Sequence, residues 1–356
     1  MARIVTVCNA SRRPFELREM SYIRWYEMSK ALARRGHEVD IATGETDWRD
    51  DSPALEMEPR LQRVPIDRVR WDDYDAVKTA FHSGFKAVEA YGGASHPLII
   101  SSLGSVVDSR DRDGIYFYGA IREDLFETQK RIHATSRYVA VLNPAARDLW
   151  TEAHGPRDGF LLVPGAACAD LPPAGENPYR EIGKVCLFAG NIYDARSQAE
   201  ANRVLSAKLN AVGQRIMQAG LRLVFLGIGD TSALDPACVT NAGAVSYDES
   251  WRYIQHASVG LVVSAGPFMH NNESTKIYYY LRAGVPVVSE SGFPNDHVVG
   301  ESGLGFVTPA EDMELLAANV LEAGGRNWNG TKAIDYILRE HTWDQRAATY
   351  DAVLGR

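Results

Sequence analysis

The stretch NNESTKIYYYLRAGVPVVSE, residues 271–290, runs from polar residues through an apolar period to a glycine, a proline and a β-branched run. Ile277, Tyr280, Leu281 and Gly284 recur at helical spacing, which predicts a short helix over 274–283 with Ile277, Tyr280 and Leu281 on its buried face. Gly284 suits the position just past the helix, Pro286 prevents continuation, and 287–289 reads as the next strand. Asn272 can cap the N-terminus, where the helix dipole favours Glu273. Lys276 is the anomaly, because a cation in the first turn faces the positive end of that dipole. A phosphate or diphosphate would compensate it, since free backbone N–H groups and a lysine together form an anion site. The other reading is a lysine that bends into solvent at little cost.

The same alternation extends outward. Apolar, β-branched runs occur at 4–7, 39–42, 98–100, 138–142, 161–163, 185–188, 221–226, 259–263, 285–288 and 304–307, and suit strands buried on both faces. Helical patterns lie between them at 22–35, 120–134, 145–153, 198–219 and 312–323. This order predicts an α/β chain of two doubly wound, Rossmann-like domains with parallel sheets and a ligand cleft between them. A chain of 356 residues is long enough to divide, and the Pro/Gly/Ala-rich run at 164–184 reads as the junction. The expected boundaries are 1–170, a linker at 171–184, a second domain at 185–337, and a closing segment at 338–356 that packs back toward the first.

Composition excludes several classes. Hydrophobic residues at 45% and charged residues at 24% are globular values, and a net charge of −8 disfavours a nucleic-acid partner. The basic stretch 12–35 reads either as a solvated face or as a peripheral contact with anionic membrane. Cys8, Cys168, Cys186 and Cys238 are widely spaced, which fits neither zinc nor a disulfide framework and suits a reducing cytoplasm. No run reaches the ~18 apolar residues of a spanning helix, and MARIVTVCNA reads as a first strand rather than a signal peptide.

Two glycine-bearing turns follow strands, Gly190-Asn191 and Gly227-Ile228-Gly229-Asp230, and belong at the ligand edge of the second domain. The second lacks the third glycine of a dinucleotide fingerprint, so a nicotinamide or flavin cofactor is not expected. The histidines form no metal-like cluster, and Asp111-Arg112-Asp113 lies in a charged loop without a strand before it, so no metal is expected either.

The segment STKIYYYLRAGVPVV, residues 274–288, resembles the donor segment of the GT-B glycosyltransferases, specifically the retaining family 4 group that uses nucleotide-sugars. RRGHEV at 34–39, VPG at 163–165, Gly190 and GFPNDHVVGESGLGFV at 292–307 resemble further family segments in the same order. The resemblance implies a GT-B fold and a UDP- or GDP-sugar co-substrate, UDP favoured, with no other cofactor. It implies donor contacts from Gly190, Asn191, Gly229, Asn271, Asn272, Ser274 and Thr275, and phosphate charge met by Lys276 and Arg196. The family's two glutamates are absent in register, Asn271 and Tyr279 standing in their places. Glu273 is then expected to take a polar role toward the donor. Tyr279 would either offer its hydroxyl to ribose or present surface aromatic area. Arg12 or Arg13 would meet phosphate or lie in a solvated loop. His82 resembles the histidine beside the donor sugar, or is a helix-start histidine without a role; His270 is the weaker alternative.

The function implied is transfer of a sugar to an acceptor hydroxyl of a glycan, glycolipid or small molecule, with catalytic roles for His82, Glu273 and Lys276. The competing readings are a GT-B nucleotide-sugar epimerase or hydrolase, and a nucleotide-sugar-binding protein that has lost activity with its glutamates. The acceptor is not legible in the sequence.

Overall fold

Each apolar run forms half or more of a strand, and the order β-α-β repeats along the chain. The structure, a computed structural model, describes residues 1–10, 17, 20–44, 55–107, 119–266 and 271–355. Among them the chain separates into one unit of Met1–Arg112, Gly119–Pro164 and Trp343–Arg356, and another of Gly165–Thr342.

The first unit contains β1 (Arg3–Val7), α1 (Met20–Arg34), β2 (Glu38–Thr43), β3 (Leu55–Glu58), β4 (Leu61–Pro65), β5 (Ala76–Ala80) and α2 (Phe81–Ala90). It continues through β6 (Ile99–Ser102), α3 (Gly119–Thr135), β7 (Tyr138–Val141), α4 (Pro144–His154) and β8 (Phe160–Leu162). Its sheet has the order β3-β4-β2-β1-β5-β6-β7-β8, parallel except for β3 against β4. Because β2 and β5 flank β1, the direction of winding reverses beside β1, where the ends of two neighbouring strands leave a crevice.

The second unit contains β9 (Val185–Ala189), α5 (Ala199–Met217), β10 (Arg222–Leu226), β11 (Val239–Gly243), α6 (Tyr247–Gln255), β12 (Val259–Val262) and α7 (Thr275–Arg282). After these come β13 (Val287–Glu290), α8 (His297–Ser302), β14 (Gly305–Thr308), α9 (Met313–Gly325) and α10 (Thr331–Glu340). The sheet is parallel in the order β11-β10-β9-β12-β13-β14, so winding reverses between β9 and β12. Side chains alternate across it: Cys186 and Phe188 of β9 join the core under α5 and α9, whereas α6 and α7 pack on the other face.

The final helix α11 (Trp343–Asp351) belongs to the first unit, packed on α1. Asp351 accepts from Arg35 Nε at 2.9 Å and lies 3.1 Å from His37 Nε2, and Ser102 Oγ is 3.0 Å from the Tyr350 hydroxyl. Among the described residues no helix is long and apolar enough to cross a membrane.

Candidate functional site

The site is built around α7, whose position follows from its tyrosines. Tyr280 lies over Gly260 of β12, where any Cβ would collide with its ring. Its hydroxyl donates to Leu187 O at 2.8 Å and accepts from Ala189 N at 2.9 Å. One core tyrosine therefore ties α7 to the carboxyl end of β9, immediately before Gly190. Tyr280 and Ile277 are fully buried, as their spacing predicts.

That tie brings Lys276 against Gly190. A Cβ on Gly190 would sit 2.5 Å from Lys276 Cε and 3.0 Å from its Nζ. The ammonium lies 4.9 Å from the centre of the Phe188 ring, and no carboxylate pairs with it among the described residues. Burial lowers its pKa to about 8. Lys276 thus packs across the end of β9 and does not bend away into solvent.

The N-terminus of α7 differs from expectation. Ser274, not Asn272, is the capping residue, and its side chain makes no capping bond. The cause is Asn295, which accepts from Ser274 N at 3.0 Å and donates to Ser274 O at 3.0 Å, fixing the turn by its backbone. Ser274 Oγ is buried, 6% exposed as a residue, with no hydrogen-bond partner among the described residues. Asn271 is buried, and Asn272 and Thr275 are half-buried beside it in the chain. Asn295 escaped the sequence reading because nothing in GFPND marks an asparagine that bonds to backbone twenty-one residues earlier.

Glu273 directs Oε2 to Gly165 N at 2.7 Å and to the Tyr278 hydroxyl at 3.1 Å. Tyr278, for which the sequence suggested no task, therefore orients this carboxylate, and its ring packs 5.3 Å from that of His341. Gly165 has no room for a side chain there, since a Cβ would lie 2.9 Å from Tyr278 Cε2. Tyr279 is 5% exposed, with its ring 4.8 Å from Trp251 and its hydroxyl 3.5 Å from that of Tyr247. The surface-aromatic reading of Tyr279 is therefore corrected: α6 covers the ring.

The two glycine turns run side by side. Gly190 N donates to Leu226 O and Ile192 N to Ile228 O, each at 2.9 Å. Gly229, at φ 124°, approaches Ile192 O too closely for any Cβ, so its glycine is explained by backbone packing that shapes the loop. Asn202 of α5 secures both turns, donating to Tyr193 O at 2.7 Å and Asp230 O at 2.9 Å. Asn191 and Arg196 are exposed on the first turn, whose shape is held by Asp194 accepting from Ser197 N at 2.8 Å.

Glu290 was also missed. It is fully buried at the end of β13, pairs with Lys208 and accepts from Ser264 N at 2.9 Å, anchoring the chain that leaves β12. Gly190, Lys276, the start of α7 and Ser264 thus share the carboxyl ends of β9 and β12, where winding reverses.

No protein family matches the sequence, and no curated protein does. Solved structures do match it over its length. Sucrose-phosphate synthase from Thermosynechococcus elongatus aligns at a TM-score of 0.70 and 14% identity, covering 99% of this chain and 98% of that one. HepE from Anabaena, solved with UDP and glucose, gives 0.68 at 10%, covering 99% of each chain. The fold is GT-B. WaaG, a glycosyltransferase involved in lipopolysaccharide biosynthesis, has it too, at 0.66 and 12%, covering 99% of this chain and all of that one. At these identities the likeness is one of fold.

In the first GT-B unit, His82 is the second residue of α2, a helix-start position. It is buried, its Nε2 is 3.0 Å from Gln129 Nε2, and burial lowers its pKa to about 4, so the ring is neutral. Four of the basic residues in 12–35 have visible engagements. Lys30 pairs with Glu58 at 3.0 Å, Arg34 with Asp344 at 3.5 Å and Arg35 with Asp351, while Arg24 donates to Val163 O. Arg12, Arg13, Asp111, Asp113 and His270 lie outside the described residues. Among the described residues no cluster of His, Cys, Asp and Glu could hold a metal ion.

Proposed function

We propose that this protein is a glycosyltransferase that moves a sugar from a UDP- or GDP-activated donor to an acceptor hydroxyl, with retention and without a metal. The observation that carries the reading is Lys276, a half-buried lysine with no carboxylate beside it among the described residues, held at the start of α7 against Gly190. A cation where the helix dipole is already positive becomes favourable once a diphosphate adjoins both.

In the reaction the bond from the anomeric carbon to the diphosphate oxygen breaks, a bond to the acceptor oxygen forms on the same face, and the acceptor proton passes to the departing diphosphate. Lys276 and the positive end of the α7 dipole would stabilise charge on the leaving diphosphate. Gly190, Asn191, Asn271, Asn272, Ser274 and Thr275 would contact the donor, with exposed Arg196 a second cation on the Gly190 turn. Glu273 would act by fixing Gly165 and Tyr278 beside the start of α7. The UDP held by HepE favours a UDP-sugar.

The test is incubation with a panel of UDP- and GDP-sugars and candidate acceptors, reading nucleoside diphosphate release and product. Transfer supports the reading. Sugar altered or freed without an acceptor would support the epimerase or hydrolase, and nucleotide binding without turnover the inactive binding protein.

A further inference from the structure

The first unit has a second concentration of positive charge. Lys78 sits in the middle of β5, between Thr6 of β1 and Ile100 of β6 in register, beside the strand where winding reverses. Its residue exposure is 4%, yet among the described residues it has no hydrogen-bond acceptor and no carboxylate, only the Tyr350 ring 5.3 Å away. A lone ammonium in a sheet interior is costly. Lys78 lines a small cavity of about 10 Å³ that opens to solvent, together with Arg24, Phe81, Ser102, Leu103 and Tyr350.

Everything polar around the cavity suits an anion. Arg24 anchors itself by donating to Val163 O at 2.9 Å. Ser102 Oγ and the Tyr350 hydroxyl, 3.0 Å apart, can each turn a proton toward a guest. The helix α2 begins at Phe81 with Ala80 before it and no side-chain cap, so the positive end of its dipole lies on the same wall. Among the described residues no acidic side chain lines the cavity. Phe81 adopts φ 61°, a left-handed conformation that costs a bulky residue energy, at this wall.

The geometry points to a binding site for an oxyanion group, a phosphate monoester or a carboxylate, held between Lys78 and Arg24 beneath Tyr350. Burial and the nearby Arg24 charge lower the Lys78 pKa to about 7, with Cys8 near it just past the end of β1 and Tyr350 from α11. Capture is accordingly favoured on the acid side of neutrality and weakens as pH rises.

The test uses full-length protein carrying Lys276→Ala, which silences the diphosphate site proposed above and keeps failure of either reading distinguishable. Thermal shift at pH 6.5 is read with inorganic phosphate, with acetate, and with chloride at matched ionic strength. A rise in Tm with phosphate that Lys78→Met abolishes supports the site and assigns a phosphate; a rise with acetate instead assigns a carboxylate. An equal rise with chloride, no rise with either oxyanion, or a rise that survives Lys78→Met overturns it. If Lys78→Met does not fold, acylation of Lys78 is followed by peptide mass. The oxyanion should slow modification at least threefold at about tenfold excess over its Kd, and unchanged modification overturns the site.

Discussion

Lys276 and Gly190 touch so closely that one methyl group added to the glycine would lie 2.5 Å from the lysine Cε. The contact joins the helix and turn that carry the proposed donor site. Gly190→Ala should therefore displace the ammonium while leaving β9 intact. We expect nucleoside diphosphate affinity to fall at least about tenfold, roughly 1.4 kcal/mol, by calorimetry, with a far-UV spectrum like that of wild type.

The lysine also sets a pH dependence. Its free ammonium titrates at about 8, lowered by burial, and a bound diphosphate favours the charged form. Binding above pH 8 must then take up a proton, so UDP affinity should decline as pH rises through 8. Lys276→Arg should flatten that decline, because a guanidinium stays charged. The check is a series of titrations on both proteins across this range.

Tyr280→Phe tests the tie between α7 and β9. The variant leaves Leu187 O and Ala189 N without their partner, and each loss costs about 1–3 kcal/mol in a buried site. Thermal unfolding should shift down by several degrees and UDP affinity should weaken with it.

Glu273→Gln separates positioning from direct chemistry. The amide oxygen can still accept from Gly165 N and the Tyr278 hydroxyl, so kcat should stay within about tenfold of wild type, while Glu273→Ala falls further. A Gln variant as inactive as the Ala variant would instead assign the carboxylate a direct role.

Much of the fold was legible because buried parallel strands write themselves as apolar runs. The elements that escaped lack that signature. β5 reads Ala-Val-Lys-Thr-Ala, with Lys78 at its centre, and β11 is half exposed. Without β5 in place, α2 was not delimited, although His82 does stand at a helix start, one of its two readings, and is buried there. At the site, Lys276 and the glycine turn could be read from a broken dipole rule and a strand end. Asn295, Asn202 and Glu290 could not, because each bonds to backbone distant in sequence. The tyrosine run was legible only in part: period placed Tyr280 in the core, but the cover that α6 gives Tyr279 depends on Trp251.

That cover has a consequence. Tyr279→Glu, which puts an acidic residue where the resembling family has one, would bury a carboxylate against Trp251 and Tyr247. We expect lower stability and no gain in nucleotide affinity, measured by unfolding and titration.

The most direct test of the donor site is a calorimetric titration of UDP, GDP and their sugars into wild type and Lys276→Ala. At least one nucleoside diphosphate should bind the wild type, and its affinity should fall at least about tenfold in the variant. Absence of binding by every nucleotide, or equal affinity in the two proteins, would contradict it.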